Sequence, residues 1–136
     1  MADKVSYDVA AEDVSRWLDY KRVSSKKRET YKEAIESLTE GVMNGSISID
    51  SDCVIAHLLM FPVEDSTGKI AFDKLTYKPR LSVGGATIAM KNVKPGDTDG
   101  RIMATVSALT DKAIGLLNKI DTEDNNLAQA VAIFFL

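Results

Sequence analysis

The feature that most constrains the fold is an unbroken apolar stripe that ends just before Asn44-Gly45. Its members recur at steps of three and four residues, which is the spacing of one helix face; they are Tyr31, Ala34, Ile35, Leu38 and Val42. Ser24 or Ser25 is a suitable N-cap, and a glycine after the last turn is a common helix end. The stripe predicts an amphipathic helix that buries this face against the rest of the chain.

Two further helices are predicted beside it. The first covers about residues 8–21, where Val14, Trp17 and Leu18 share one face. The other begins after Asp50 or Ser51 and stops at Pro62, since proline ends a helix. Its predicted apolar positions are Val54, Ile55, Leu58 and Leu59. Together these three helices form a predicted N-terminal helical segment, residues 1–68.

A polar stretch over residues 64–68 suggests a linker, and after it the pattern changes from helical to alternating. Gly84-Gly85 suits a two-residue hairpin turn, because both central positions of a type I′ turn need positive φ. In that register six apolar residues share one side of the ribbon: Pro79, Leu81, Val83, Ala86, Ile88 and Met90. We therefore predict a β-hairpin in the second segment, residues 69–136.

Three C-terminal helices are predicted after the hairpin. Asp97 caps the first, Thr110 or Asp111 begins a shorter second, and Asp121 caps the last. The predicted class is α+β and mainly helical, with three N-terminal helices, one β-hairpin and three C-terminal helices. The two segments are expected to share one core.

Size and composition narrow the class of protein. The chain has 136 residues, a net charge of −3 and a single cysteine, so it forms no internal disulfide and has no overall attraction to nucleic acid or to an anionic membrane. Residues 1–9 lack the apolar core of a signal peptide, and no apolar run reaches the roughly 18 residues of a membrane span. These features predict a cytoplasmic protein that is not inserted in a membrane.

Catalytic and metal-binding motifs are absent from the sequence, so we expect no enzyme, no cofactor and no metal. His57 is the single histidine, and Cys53 would share its face of the predicted helix, but two ligands are too few for a structural zinc. The carboxylates cluster where helix patterns begin, which favours helix capping over a cation site; they are Asp97, Asp99, Asp121, Glu123 and Asp124.

A basic run is the strongest local charge feature. It consists of Lys21, Arg22, Lys26, Lys27, Arg28 and Lys32. Such a run could contact nucleic acid or an acidic protein. Glu29 and Glu36 stand at stabilising helical distances from Lys32, which favours a solvated face or an acidic protein partner.

The last residues, Ala132 to Leu136, are mostly large and apolar. A surface of that kind must be covered, either by the protein's own core or by another chain. We expect a protein-binding surface along the last helix and the hairpin face. Its candidate residues are Leu81, Val83, Ile88, Met90, Leu127, Val131, Phe134 and Phe135.

From Leu75 onward the order of features resembles a known family. These features are Lys78-Pro79, the Val83-Gly84-Gly85 turn, Val93-Lys94-Pro95-Gly96-Asp97, Leu109-Thr110, Ile120-Asp121-Thr122-Glu123-Asp124, and an end with Ala130, Phe134 and Phe135. In this order they resemble the small tail-assembly chaperones of tailed bacteriophages, of the Mu-like tail assembly protein E type. The first 70 residues depart from that family's pattern.

The resemblance implies a protein of the host cytoplasm that holds the tape-measure protein and helps the tail tube polymerise, through apolar surfaces and without catalysis. It also implies other tail proteins as partners, with self-association possible and nucleic acid not expected. Because residues 1–68 are extra, two alternatives stay open. One is a structural virion subunit of baseplate, neck or capsid; the other is a small nucleic-acid-binding protein that uses residues 21–32.

Overall fold

The computed structural model of the protein describes residues 5–136. Within that range the elements are α1 (Tyr7–Tyr20), α2 (Ser25–Thr30), α3 (Lys32–Asn44), β1 (Ile47–Ile49), β2 (Ile55–Glu64), β3 (Ile70–Tyr77), α4 (Val83–Ala89), α5 (Thr98–Thr110), α6 (Ile114–Leu117), α7 (Thr122–Ala132) and a 3₁₀ turn (Ile133–Phe135). The fold class is α+β and mainly helical, which confirms the prediction. Residues 1–4 of the stretch searched for a targeting signal lie outside the described residues.

The helices pack as a layer on the sheet, and each strand is contacted by a different helix. The sheet is antiparallel with the order β1-β2-β3. Helix α3 packs on β1, α7 on β2 and α5 on β3, with α1 beside α3. One hydrophobic cluster fills the space between the layers and includes residues from both sides of residue 68, such as Leu38 and Leu127. Helix α4 lies outside this arrangement and packs on α5.

Three of the helix caps predicted from the sequence are confirmed, whereas Thr110 and Asp111, which were predicted to begin a helix, stand at the end of α5. The side chains of Ser24, Asp97 and Asp121 each accept a hydrogen bond from a main-chain N–H in the first turn of the helix that follows. Gly45 ends α3 with a φ of 86°, which glycine adopts without steric cost. The second predicted helix is divided at Tyr31, whose φ and ψ are not helical, so it forms α2 and α3.

The predicted third helix is wrong, because this segment forms β2. Ile55, His57 and Leu59 alternate as buried residues, while Leu58 and Met60 are exposed. The outward positions are themselves apolar, so the usual alternation of apolar and polar residues is missing. The residues at 54, 55, 58 and 59 also match helical spacing, and this match misled the sequence interpretation.

The predicted hairpin at Gly84-Gly85 is also wrong, since these residues lie inside α4. Neither glycine has a positive φ. The Ser82 side chain accepts a hydrogen bond from Gly85 N at 3.0 Å, and Ala86 N donates to the Ser82 carbonyl at 2.9 Å. Ser82 therefore acts as an N-cap and starts a helix where a turn was expected.

The true hairpin joins β2 to β3 through the residues that were predicted to be a linker. Gly68 has a φ of 83°, and the Asp65 carboxylate accepts hydrogen bonds from Thr67 N at 2.8 Å and Lys69 N at 3.1 Å. The hydrogen bond from the Thr67 hydroxyl, followed by those from the two main-chain donors, lowers the pKa of Asp65. The predicted linker, residues 64–68, is thus the end of β2 and most of a turn over residues 65–69 that joins it to β3.

Candidate protein-binding site

None of the residues of helix α4 is buried, a property that it shares with α2. Val83 is 85% exposed and Ile88 is 76% exposed. The Ser82 cap holds the helix in place at its start, and α5 supports it from one side. Two large aliphatic side chains in water, held on a capped helix, are available to another molecule.

A groove of about 540 Å³ lies between α4, α5 and the last residues of the chain. Its lining is mainly apolar with a basic rim: Val83, Ala86, Thr87, Met90, Lys91, Arg101, Thr105, Phe135 and Leu136. The structure thus brings three predicted binding residues, Val83, Met90 and Phe135, to one place. Ile88 and Leu81 lie on the other side of α4, in a smaller groove of about 290 Å³, so the single ribbon face that was predicted does not exist.

The candidate residues of the last helix are mostly core. Leu127, Val131 and Phe134 are buried, so they are not accessible to a partner in this conformation. The Phe134 ring packs edge-on against Trp17, with ring centroids 5.6 Å apart, and against Tyr31 at 5.9 Å. The protein's own core therefore covers most of the apolar end, and this corrects the expectation of a binding surface along that helix.

Phe135 differs from its neighbour because it is only half-buried. The Lys21 ammonium nitrogen lies 3.4 Å from the centroid of its ring, within the range of a cation–π contact. Burial, together with the nearby charges of Lys27 and Arg80, lowers the pKa of Lys21 to about 8. Lys27 also donates to the main-chain oxygen of Leu136 at 3.3 Å.

The predicted basic patch is therefore largely engaged in contacts within the protein. Lys21 and Lys27 hold the last residues as described, and Arg28 pairs with Asp19 at 2.9 Å. Lys32 lies 3.8 Å from Glu29. Arg22 and Lys26 are exposed. The six residues do not form one free cationic surface, which weakens the case for nucleic acid.

A buried polar cluster lies where α7 meets the sheet, and the sequence interpretation missed it. The Asp124 carboxylate, which is fully buried, accepts hydrogen bonds from Met60 N at 2.8 Å and Phe61 N at 3.0 Å. Strand β2 has a β-bulge here, because its residues 59–62 stand opposite the single residue Asp73 of β3. Asp124 therefore satisfies two main-chain donors that the bulge leaves without a strand partner, a role beyond the helix capping predicted for it.

His57 completes this cluster. Its Nδ1 lies 3.0 Å from the Tyr77 hydroxyl oxygen, and its Nε2 lies 3.8 Å from Asp124 Oδ1, too far for a hydrogen bond. Burial lowers the pKa of His57 to about 4, although the Asp124 charge acts in the opposite direction, and burial raises the pKa of Tyr77. His57 is neutral at pH 7, and the tautomer with hydrogen on Nε2 is favoured because it faces the carboxylate.

Cys53 and His57 do not share a helical face, since residues 53–57 are not helical. Cys53 Sγ accepts instead from the Arg16 guanidinium at 3.4 Å. Within residues 5–136 no group of three or more metal-ligating side chains comes together.

The apolar side chains Leu58, Met60, Phe61 and Ile70 are exposed on the hairpin, and recognising β2 as a strand would have revealed this second apolar surface.

Comparisons with known proteins found no relative of this chain. A scan of protein-family models, a search of curated proteins and a search of solved structures each found no match to this chain. Within residues 5–136 no helix has the length and apolarity needed to span a bilayer.

Proposed function

We propose that this chain is a non-enzymatic protein of phage tail assembly that binds another tail protein in the groove between α4 and α5. The observation that carries the proposal is the convergence of Val83, Met90 and Phe135 on one open apolar groove. An amphipathic helix laid into an apolar groove is a common mode of peptide recognition, and it suits a long helical client such as a tape-measure protein.

The charges around the groove favour a client with acidic residues beside its apolar face. Lys91 and Arg101 line the groove and are exposed. Lys21 and Lys27 contact Phe135 and Leu136 at its end, and the Arg80 charge is near enough to lower the pKa of Lys21. Such a basic rim attracts acidic partners and repels basic ones, which adds specificity to the apolar contact.

The tail-assembly role rests on the ordered features after residue 93. Helices begin after Asp97 and Asp121, as the resemblance implies. The Val83-Gly84-Gly85 feature belongs to a helix, so the hairpin part of the resemblance gives no support. A protein that assembles tails through apolar contacts needs an open groove and a charged remainder, and this chain has both.

The proposal is tested by co-expressing the tagged chain with a tape-measure protein of the phage genome that the proposal implies. We expect the two to co-purify, and Val83→Asp to lower recovery of the tape-measure protein at least about tenfold, because a charge in an apolar contact is costly. Val9→Asp is the matched control, since Val9 is an exposed valine on α1, and it should bind as the wild type does. Equal binding of the tape-measure protein by both variants would contradict binding in the groove.

Phe135→Asp gives a second test of the same groove. It should abolish client binding while far-UV circular dichroism retains its helical signal, and loss of that signal would show instead that Phe135 belongs to the core. Mass spectrometry of purified particles then separates the two viral roles. Absence of the chain from particles supports an assembly factor, and a fixed stoichiometry in particles would contradict it in favour of a structural subunit.

A further inference from the structure

The buried contact between α7 and the bulge of β2 is the strongest feature outside the groove. The Asp124 carboxylate accepts from Met60 N and Phe61 N, which lie 64 and 63 positions before it in the chain. Hydrogen bonds to an ionised acceptor are stronger than those between neutral groups. One carboxylate therefore joins the first turn of α7 to the sheet.

His57 is placed to respond to protons at this contact. The side chain is fully buried, and its Nε2 has no hydrogen-bond partner among the described residues. This nitrogen lies 3.8 Å from Asp124 Oδ1, the same oxygen that accepts from Met60 N. A shift of about 1 Å would bring His57 to hydrogen-bonding distance. It would then compete with Met60 N for that oxygen.

The surroundings of His57 do not favour a second proton on its ring. The register places the apolar residues Ile47 of β1 and Leu75 of β3 opposite it. The Tyr77 hydroxyl lies 3.0 Å from Nδ1. In the tautomer with hydrogen on Nε2, an added proton goes to Nδ1, so the hydroxyl can no longer donate there. Asp124 is the one charge in the described chain that supports the imidazolium, and burial outweighs it in setting the pKa of His57.

We propose that this contact is an acid-sensitive latch, which opens between the first turn of α7 and the β2 bulge when His57 takes up a proton. Opening lets water reach the imidazolium. Met60 N and Phe61 N then lose their carboxylate partner, so their exposed side chains change position on the hairpin. No residue of the latch lines the α4–α5 groove, and the proposal stands whether or not the groove binds a tail protein.

The size of the effect follows from linkage between opening and protonation. The pKa of His57 is about 4 in the closed protein against an ordinary 6.5, and contact with water returns it towards the ordinary value. Acid therefore favours the open state as the pH falls below 6.5, by roughly 300-fold at most once the pH is below 4. Above pH 6.5 the latch stays closed.

Hydrogen exchange of single amides in the full chain tests the latch. It is followed by NMR at pH 7 and pH 4.5 and corrected for the intrinsic pH dependence of exchange. Leu58 N is the internal control, because it also belongs to β2 but donates to the Ser46 carbonyl at 2.8 Å. Protection of the Met60 and Phe61 amides should fall at least about tenfold more than that of Leu58. An equal fall at Leu58 would mean global unfolding and would overturn the proposal.

Two variants separate the proton from the contact. His57→Gln removes the titrating ring, so protection of the Met60 and Phe61 amides relative to Leu58 should be the same at both pH values. Asp124→Asn removes the charge that holds these amides and should lower their relative protection already at pH 7. A fall that persists in His57→Gln, or unchanged protection in Asp124→Asn, would overturn the proposal.

Discussion

The helices and the sheet that pack together, here called the layer, bury their apolar residues, whereas helix α4 leaves its own exposed. In the layer, Trp17 is 1% exposed and Leu75 is fully buried, whereas Val83 of α4 is 85% exposed. Helix α4 also contains two glycines, each of which weakens a helix interior by about 1 kcal/mol relative to alanine. The comparison teaches that stability resides in the layer, while α4 holds a surface that the fold itself does not need.

The largest expected effect is in the layer, at Trp17. Its indole contacts Phe134 and Phe135, so Trp17→Ala leaves a cavity between α1 and the 3₁₀ turn. We expect a loss of about 3–5 kcal/mol in the free energy of unfolding, measured by urea denaturation. A loss below about 1 kcal/mol would mean that this region is no better packed than α4.

A pH effect of similar size is expected from His57. Its pKa is about 4 in the folded protein against an ordinary 6.5, so the unfolded chain takes up a proton in this window and the folded chain does not. Stability is full above pH 6.5 and is lost as the pH falls towards 4, by roughly 3 kcal/mol in total.

Urea denaturation at several pH values measures this loss, and His57→Gln is the control. The variant should show a much flatter dependence between pH 4.5 and 6.5, because the chain has one histidine. An equal slope in both proteins would show that other groups are responsible.

A smaller and local effect is expected at Gly84. A Cβ there would meet only Ser82 Oγ at 4.0 Å, so Gly84→Ala should stabilise α4 by about 0.5–1 kcal/mol. Hydrogen exchange of α4 amides should slow by about two- to fivefold without a matching change in the layer. Gly85→Ala is the stricter comparison, since its Cβ would lie 3.3 Å from Leu81 and Ser82 atoms and part of the gain should be lost.

The smallest expected effect is that of Val83→Asp on stability. An exposed substitution away from the core changes the free energy of unfolding by less than about 0.5 kcal/mol. The same variant should lose client binding, as proposed above. A large loss of stability would show that Val83 belongs to the core and would remove the contrast between the two regions.

The parts of the fold that the sequence predicts are those with local signals. Caps such as Asp97 and Asp121 and the stripe before Gly45 act within one or two turns, and they are confirmed. The segment that forms β2 carries no such local signal, because its exposed residues are apolar and the alternation of apolar and polar residues is missing. Ser82 does carry a capping signal for α4, but the glycines after it favoured a turn instead.

The candidate site was predictable only in part. Val83, Met90 and Phe135 are apolar in the sequence, but their meeting depends on how α4 packs on α5. Asp124 resembles any acidic residue in a first helical turn, and its contact with the β2 bulge joins residues more than 60 positions apart. Contacts at that separation are set by tertiary packing and leave no local pattern.

The central claim is that α4 is a stable surface for a partner and not part of the core, and native-state hydrogen exchange tests it most directly. In the free chain, α4 amides should exchange through local opening, while those of α7 and β2 should exchange only on global unfolding. Adding the tape-measure protein should protect α4 at least about tenfold beyond any change in α7. Equal protection of α4 and α7 in the free chain, or no added protection of α4 in the complex, would contradict the account.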